Sequence, residues 1–243
     1  MITVTTTATI TGIAMAARER SSDVTPLLVW LSPSFPVGSF AYSHGLEWAV
    51  EAGDVGDAAS LEQWLDDLLH HGSPWSDAVL LAHAHRAVTG ADNAKLAEVA
   101  ALAAALAPSR ERKLETLAQG AAFLAAVRAA WPSPALDRAK PFEKEIAFPV
   151  AVGIAAAGHG LALASTLEAY LVALATNLVS AAVRLIPLGQ TDGTKAVAKF
   201  VPVARQVAAL AAAASIDDIG GAALRSDLAA MHHETQYTRL FRS

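Results

Sequence analysis

Leu61, Trp64, Leu65, Leu68 and Leu69 recur at i, i+3, i+4, i+7 and i+8, with Glu62, Gln63, Asp66 and Asp67 in the gaps. A helical period places the five apolar side chains on one stripe and the four polar ones opposite, so this segment is a helix with a face to bury. Comparable runs fill the chain, each closed by glycine or proline, and none alternates apolar and polar residues with the period of a strand. Alanine, the strongest helix former, dominates the apolar class. The pattern predicts an all-α fold, a compact single-domain bundle of about ten helices.

Punctuation residues set the expected boundaries. Pro33 and the Pro36–Ser39 turn separate a short apolar run from a helix on which Tyr42, Leu46 and Val50 share a face. Gly72 ends the Leu61 helix, and Ser73-Pro74 opens the next, which runs to Thr89. Asp92 and Ser109 cap two more, reaching Ala107 and Trp131. Residues 132–141 hold three prolines and read as a loop. Ser165 to Glu168 has the form of a capping box for a helix that lasts to Ile186. Pro187 to Gly193 reads as a loop, followed by a helix capped by Thr191 or Asp192 and kinked or ended at Pro202. Gly220-Gly221 precedes a last helix from Ala222 to His232. The expected organisation is a flexible N-terminal tail over 1–25, a helical domain over 26–232 and a C-terminal interaction tail over 233–243.

The chain has 243 residues, 53% of them hydrophobic and 17% charged, enough apolar surface for a sizeable core. A net charge of −5 argues against nucleic-acid binding. The absence of cysteine excludes disulfides and thiolate metal sites and fits a reducing compartment. Ile146–Ala164 and Ala169–Val183 carry no charge. The first is interrupted by Pro149 and three glycines, and the second is shorter than a membrane span of about 20 residues, so both read as buried core helices. The close histidine pairs, His70/His71, His83/His85 and His232/His233, are one or two residues apart and point in divergent directions from a helix. No metal site and no cofactor are expected. Gly189 to Lys195 has one residue too few between its glycines for a phosphate loop, and it follows a helix instead of a strand. There is no G-x-S-x-G nucleophile motif, and no catalytic residue is assigned.

Three separated blocks are more specific: LLVWLSPSFPVGSFAYSHGLEWAVE ending at Glu51, NLVSAAVRLIPLGQTDGTK from Asn177 to Lys195, and MHHETQYTRLFRS from Met231 to Ser243. In this order they resemble the blocks of the urease accessory protein UreF family. Shorter matches at Ser109-Arg110-Glu111 and Phe148-Pro149-Val150 extend the resemblance from Pro26 to Ser243. The resemblance implies a UreF-like helical fold, no enzymatic activity and a cytoplasmic location. It implies an accessory protein, or chaperone, that scaffolds UreD (also called UreH) and the GTPase UreG on apo-urease for nickel insertion. A homodimer within that complex is also implied.

Candidate partner-binding residues follow from the three blocks. Tyr42 and Glu47 lie in the first, where Glu47 could instead pair with an arginine of the body. Gln190, Thr191, Asp192 and Lys195 lie on the expected loop of the second, and loops held by a scaffold suit partner contacts. His233, Glu234, Tyr237, Arg239, Phe241 and Arg242 lie in the third, which is rich in the aromatic and arginine side chains that anchor interfaces. The alternative for the tail is that Tyr237, Leu240 and Phe241 dock back on the parent fold. The alternative for the whole chain is a small-molecule-binding or enzymatic helical domain, with His44, His159 or Tyr42 facing a pocket.

Overall fold

A computed structural model describes residues 23–243, and the expected N-terminal tail lies almost wholly outside them. Ten α-helices and three 3-10 segments make up the described residues, with no strand among them. The helices are α1 (Thr25–Trp30), α2 (Leu46–Glu51), α3 (Ala58–His71), α4 (Ser73–Thr89) and α5 (Asn93–Ala105). They continue as α6 (Arg110–Ala130), α7 (Phe148–Gly158), α8 (Leu163–Leu185), α9 (Gln190–Ala213) and α10 (Leu224–His233).

All five members of the α3 stripe are buried. At about 1.5–3 kcal/mol for each buried leucine-sized side chain, this stripe alone gives α3 a strong reason to dock. Asp92 and Ser109 cap α5 and α6, accepting hydrogen bonds from the amides of Lys95 (2.9 Å) and Arg112 (3.2 Å). At the centre lies α7, buried at every residue from Pro149 to Ala156 and packed between α4 and α6. Its approach to α4 is nearly backbone to backbone: a Cβ on Gly153 would sit 2.7 Å from the Leu81 carbonyl oxygen. Gly120 does the same for α6, where a Cβ would lie 2.1 Å from the oxygen of Ile146.

By length and composition α8 and α9 could cross a membrane. In the fold they pack on each other and on α3 and α4, and half of the most apolar stretch of α8 is buried. Pro202 does not end α9. Its ring is exposed, so the carbonyl it leaves without an amide partner lies on the solvent side, where water can satisfy it.

Several local expectations differ from the structure. Tyr42 precedes α2 instead of sharing a helix face, because His44 (φ 57°) and Gly45 (φ 78°) turn left-handed and delay the helix to Leu46. Gly45 is required there twice over, since a Cβ would also lie 2.6 Å from the Ala230 amide nitrogen of α10. The Ser165–Glu168 box is not formed; α8 starts at Leu163, and the Thr166 hydroxyl instead donates back to the Ala162 carbonyl at 2.9 Å. Residues 134–145 form 3-10 turns in place of a loop. Gln190 to Lys195 is also helical, the opening of α9, and Gly193 serves close packing against Val183 of α8.

Candidate functional site

The C-terminal tail docks on its own body, and Glu47 is its receptor. This side chain is only 7% exposed. Its Oε1 accepts the Leu240 amide at 2.6 Å, and its Oε2 accepts the amide of Phe241 at 2.9 Å and Nε2 of His233 at 3.1 Å. Among the described residues Glu47 thus pairs with no arginine. A buried carboxylate needs such donors, because one left unpaired would carry its full desolvation cost. His233 is fully buried and sits between two acids, with Nδ1 2.6 Å from Glu111. Both of its ring nitrogens thus face carboxylates. Arg239 makes the second bond to Glu111 at 2.6 Å.

Further bonds fix the strand-like end of the tail. Arg242 donates its amide to the Ala41 carbonyl at 2.8 Å, and the Ser43 amide and hydroxyl both donate to the Ser243 carbonyl, at 2.7 and 2.6 Å. Phe241 points inward and is 4% exposed, with the Arg184 guanidinium 4.3 Å from its ring centroid. Arg184 also donates to the Phe40 carbonyl at 3.0 Å, and Asn177, seven residues earlier on the same face of α8, reaches the Tyr42 carbonyl at 3.3 Å. Glu234 caps α6 from outside, taking the Arg110 amide at 2.7 Å.

The docked tail presents two large apolar side chains outward, among exposed threonines and arginines. Tyr237 is fully exposed and Leu240 is 62% exposed. A shallow groove beside Leu240 is lined by Tyr42, Leu114, Ala118, Arg239 and Phe241. On α10, Leu224, Leu228 and Met231 form an exposed stripe at i, i+4 and i+7. Glu111 and Arg242 complete the lining of the groove, and Arg110 and Lys113 are exposed on α6.

Of the sequence candidates, the structure brings Tyr42, Glu47, His233, Glu234, Tyr237, Arg239, Phe241 and Arg242 together. Glu47, His233 and Phe241 face the body, so their contacts are internal. Gln190, Thr191, Asp192 and Lys195 form a separate exposed group at the start of α9, where Lys195 pairs with Asp192 at 2.9 Å.

Sequence reasoning missed a buried polar network under the tail. Arg112 forms an ion pair with Glu115, which also accepts from His44 Nε2 at 2.8 Å, Gln119 at 3.1 Å and the Ser243 hydroxyl at 2.7 Å. Burial alone would raise the Glu115 pKa, but Arg112, His44 and these hydrogen bonds hold it at about 2. Burial and then Arg112 push His44 down, so its ring is neutral and donates from Nε2. Asp77 accepts from the Tyr170 hydroxyl at 3.1 Å, and burial raises its pKa to about 6. These groups line a cleft of about 620 Å³, open mouth included. His44 lines it. Tyr42 lies in the tail groove instead, and His159 is engaged by the Trp131 and Ala155 carbonyls. A signal was present in the sequence: Arg112, Glu115 and Gln119 continue toward the N-terminus the helical stripe that Phe123 and Val127 complete. Among the described residues, no group of three or more metal-ligating side chains converges.

The described residues form an all-α bundle whose interior charges are paired with one another. The sequence model of the UreF family matches residues 55–201. A urease accessory protein UreF of Xanthobacter autotrophicus is 60% identical over 219 residues, covering 90% of each chain. A namesake from Bradyrhizobium sp. is 57% identical over 217 residues, covering 89% of this chain and 90% of the relative. Another from Rhodopseudomonas palustris is 53% identical over 234 residues, covering 96% of both. The chain belongs to the UreF family of urease accessory proteins, and is an accessory factor, not an enzyme.

Proposed function

We propose that this protein is a cytoplasmic urease maturation factor that scaffolds UreD (UreH) and the GTPase UreG on apo-urease, so that nickel, the cargo, enters the active site. The docked tail carries this reading: it displays Tyr237 and Leu240, and α10 displays an apolar stripe, on a protein whose relatives are named urease accessory proteins. The tail and α10 hold UreD. The exposed start of α9, with Gln190, Thr191, Asp192 and Lys195, contacts UreG. The protein works as a homodimer within the complex.

Co-expression and pull-down with UreD and UreG tests the scheme. Deleting Tyr237 to Ser243 is expected to abolish capture of UreD, and unchanged co-purification would remove the tail from the interface. Lys195→Ala is expected to lower urease activation while changing stability by less than about 0.5 kcal/mol, since the residue is exposed. Full activation by that variant would remove Lys195 from the GTPase contact.

A further inference from the structure

The cleft of about 620 Å³ has two orphaned polar atoms in its walls. Among the described residues neither Trp30 Nε1 nor His44 Nδ1 has a hydrogen-bond partner, and both residues line the cleft. Trp30 is fully buried and His44 is 7% exposed. Most buried polar side-chain atoms are paired, so two orphans at one cleft single it out. Their chemistry is opposite. An indole nitrogen only donates. His44 is neutral and gives its one ring proton to Glu115 through Nε2, at 2.8 Å, so Nδ1 offers a bare lone pair. Packing holds both rings. Trp30 lies edge-on to Phe123, Trp131 and His159, with ring centroids 6.0, 6.0 and 5.1 Å away. His44 is fixed by its bond to Glu115 and by its left-handed backbone.

We infer that this cleft is a binding site for a small uncharged amide, whose carbonyl oxygen accepts from Trp30 Nε1 and whose N–H donates to His44 Nδ1. A carboxylate accepts from the indole but has no proton for His44, and Glu115 and Asp77 repel it. An ammonium ion donates to His44 but has no lone pair for the indole, and Arg112 repels it. An amide supplies both functions in one planar group. Water supplies them too, but the cleft far exceeds the roughly 30 Å³ that one water occupies. Leu31, Val37, Phe148 and Leu174 add apolar wall for a hydrocarbon substituent, the mixture found in small-molecule sites. No lining residue is shared with the groove beside Leu240, so the site does not depend on what the tail binds.

Isobutyramide, isobutyrate and isobutylamine share one carbon skeleton and test the site on full-length protein at neutral pH. The Trp30 indole N–H is followed by proton–nitrogen NMR and identified among the five tryptophans by its contacts with the Phe123 ring. The nitrogen resonance of His44 Nδ1 is followed in the same titration. Isobutyramide is expected to move both resonances saturably and to bind at least about tenfold more tightly than either charged analogue. Trp30→Phe removes the N–H and keeps an aromatic ring. It is expected to weaken isobutyramide at least about fivefold, read at His44. If that variant does not fold, the joint response of Trp30 and His44 in the parent decides. No saturable shift up to the solubility limit of isobutyramide means a cleft filled by water alone and overturns the site. So does a shift at one of the two resonances without the other, equal affinity for isobutyrate or isobutylamine, or undiminished binding by folded Trp30→Phe.

Discussion

Asp77→Asn should make the protein more tolerant of rising pH. The Asp77 carboxyl lies beneath the Tyr170 hydroxyl, faces Arg112 and Glu115, and has a pKa raised by burial from 3.8 to about 6. The folded state therefore holds this proton more tightly than the unfolded chain does. Between about pH 4 and pH 6 the native protein carries the larger share of it, so stability falls as pH rises through that window and levels off above it. A shift of about two units at 1.36 kcal/mol per unit gives about 3 kcal/mol. Asp77 retains some exposure at the walls of two clefts, so about 2–3 kcal/mol is the expected size. Asparagine keeps the shape and an acceptor for Tyr170 but does not titrate. Urea unfolding of parent and variant from pH 4 to pH 7 measures the effect. The variant's advantage should grow by about 2–3 kcal/mol across the series, on top of any constant offset from the altered pairing of Arg112. A difference that stays flat, or shrinks with rising pH, would refute the assignment of a buried, proton-retaining carboxyl.

Glu115→Gln should cost about 3–5 kcal/mol at neutral pH by chemical denaturation, because it leaves the buried Arg112 without its partner charge. The parent's own contribution from Glu115 has the opposite pH sign to that of Asp77. It is present above pH 4.5 and disappears as pH falls toward 2, and the steepness of acid unfolding measures it. Gly120→Ala should lower Tm by several degrees, since its Cβ would collide with the Ile146 carbonyl and push α6 away from the start of α7.

Local chemistry made most helices legible. The α3 stripe and the Asp92 and Ser109 caps depend on residues three to eight apart, and the structure keeps them. What stayed hidden depends on distant partners. The left-handed His44 is held by Glu115, 71 positions away, and Gly45 by the backbone of α10. Neither contact leaves a trace in the local string, so Tyr42 seemed to belong to a helix. Ser165 has an N-cap composition, yet α8 begins two residues earlier, where Leu161 and Leu167 pack into the core. For the site, aromatic and arginine content marked the tail as special. Composition could not divide it into an inward Phe241 and an outward Leu240, because that division is made by Glu47, nearly two hundred residues upstream.

The Ser243 hydroxyl reaches Glu115 and thereby joins the rim of the molecule to its interior. Pulling the tail away would deprive this acid of one of its donors and raise its affinity for protons. The tail therefore helps to keep this buried acid ionised, and its loss would shrink the share of the stability at neutral pH that Glu115 supplies.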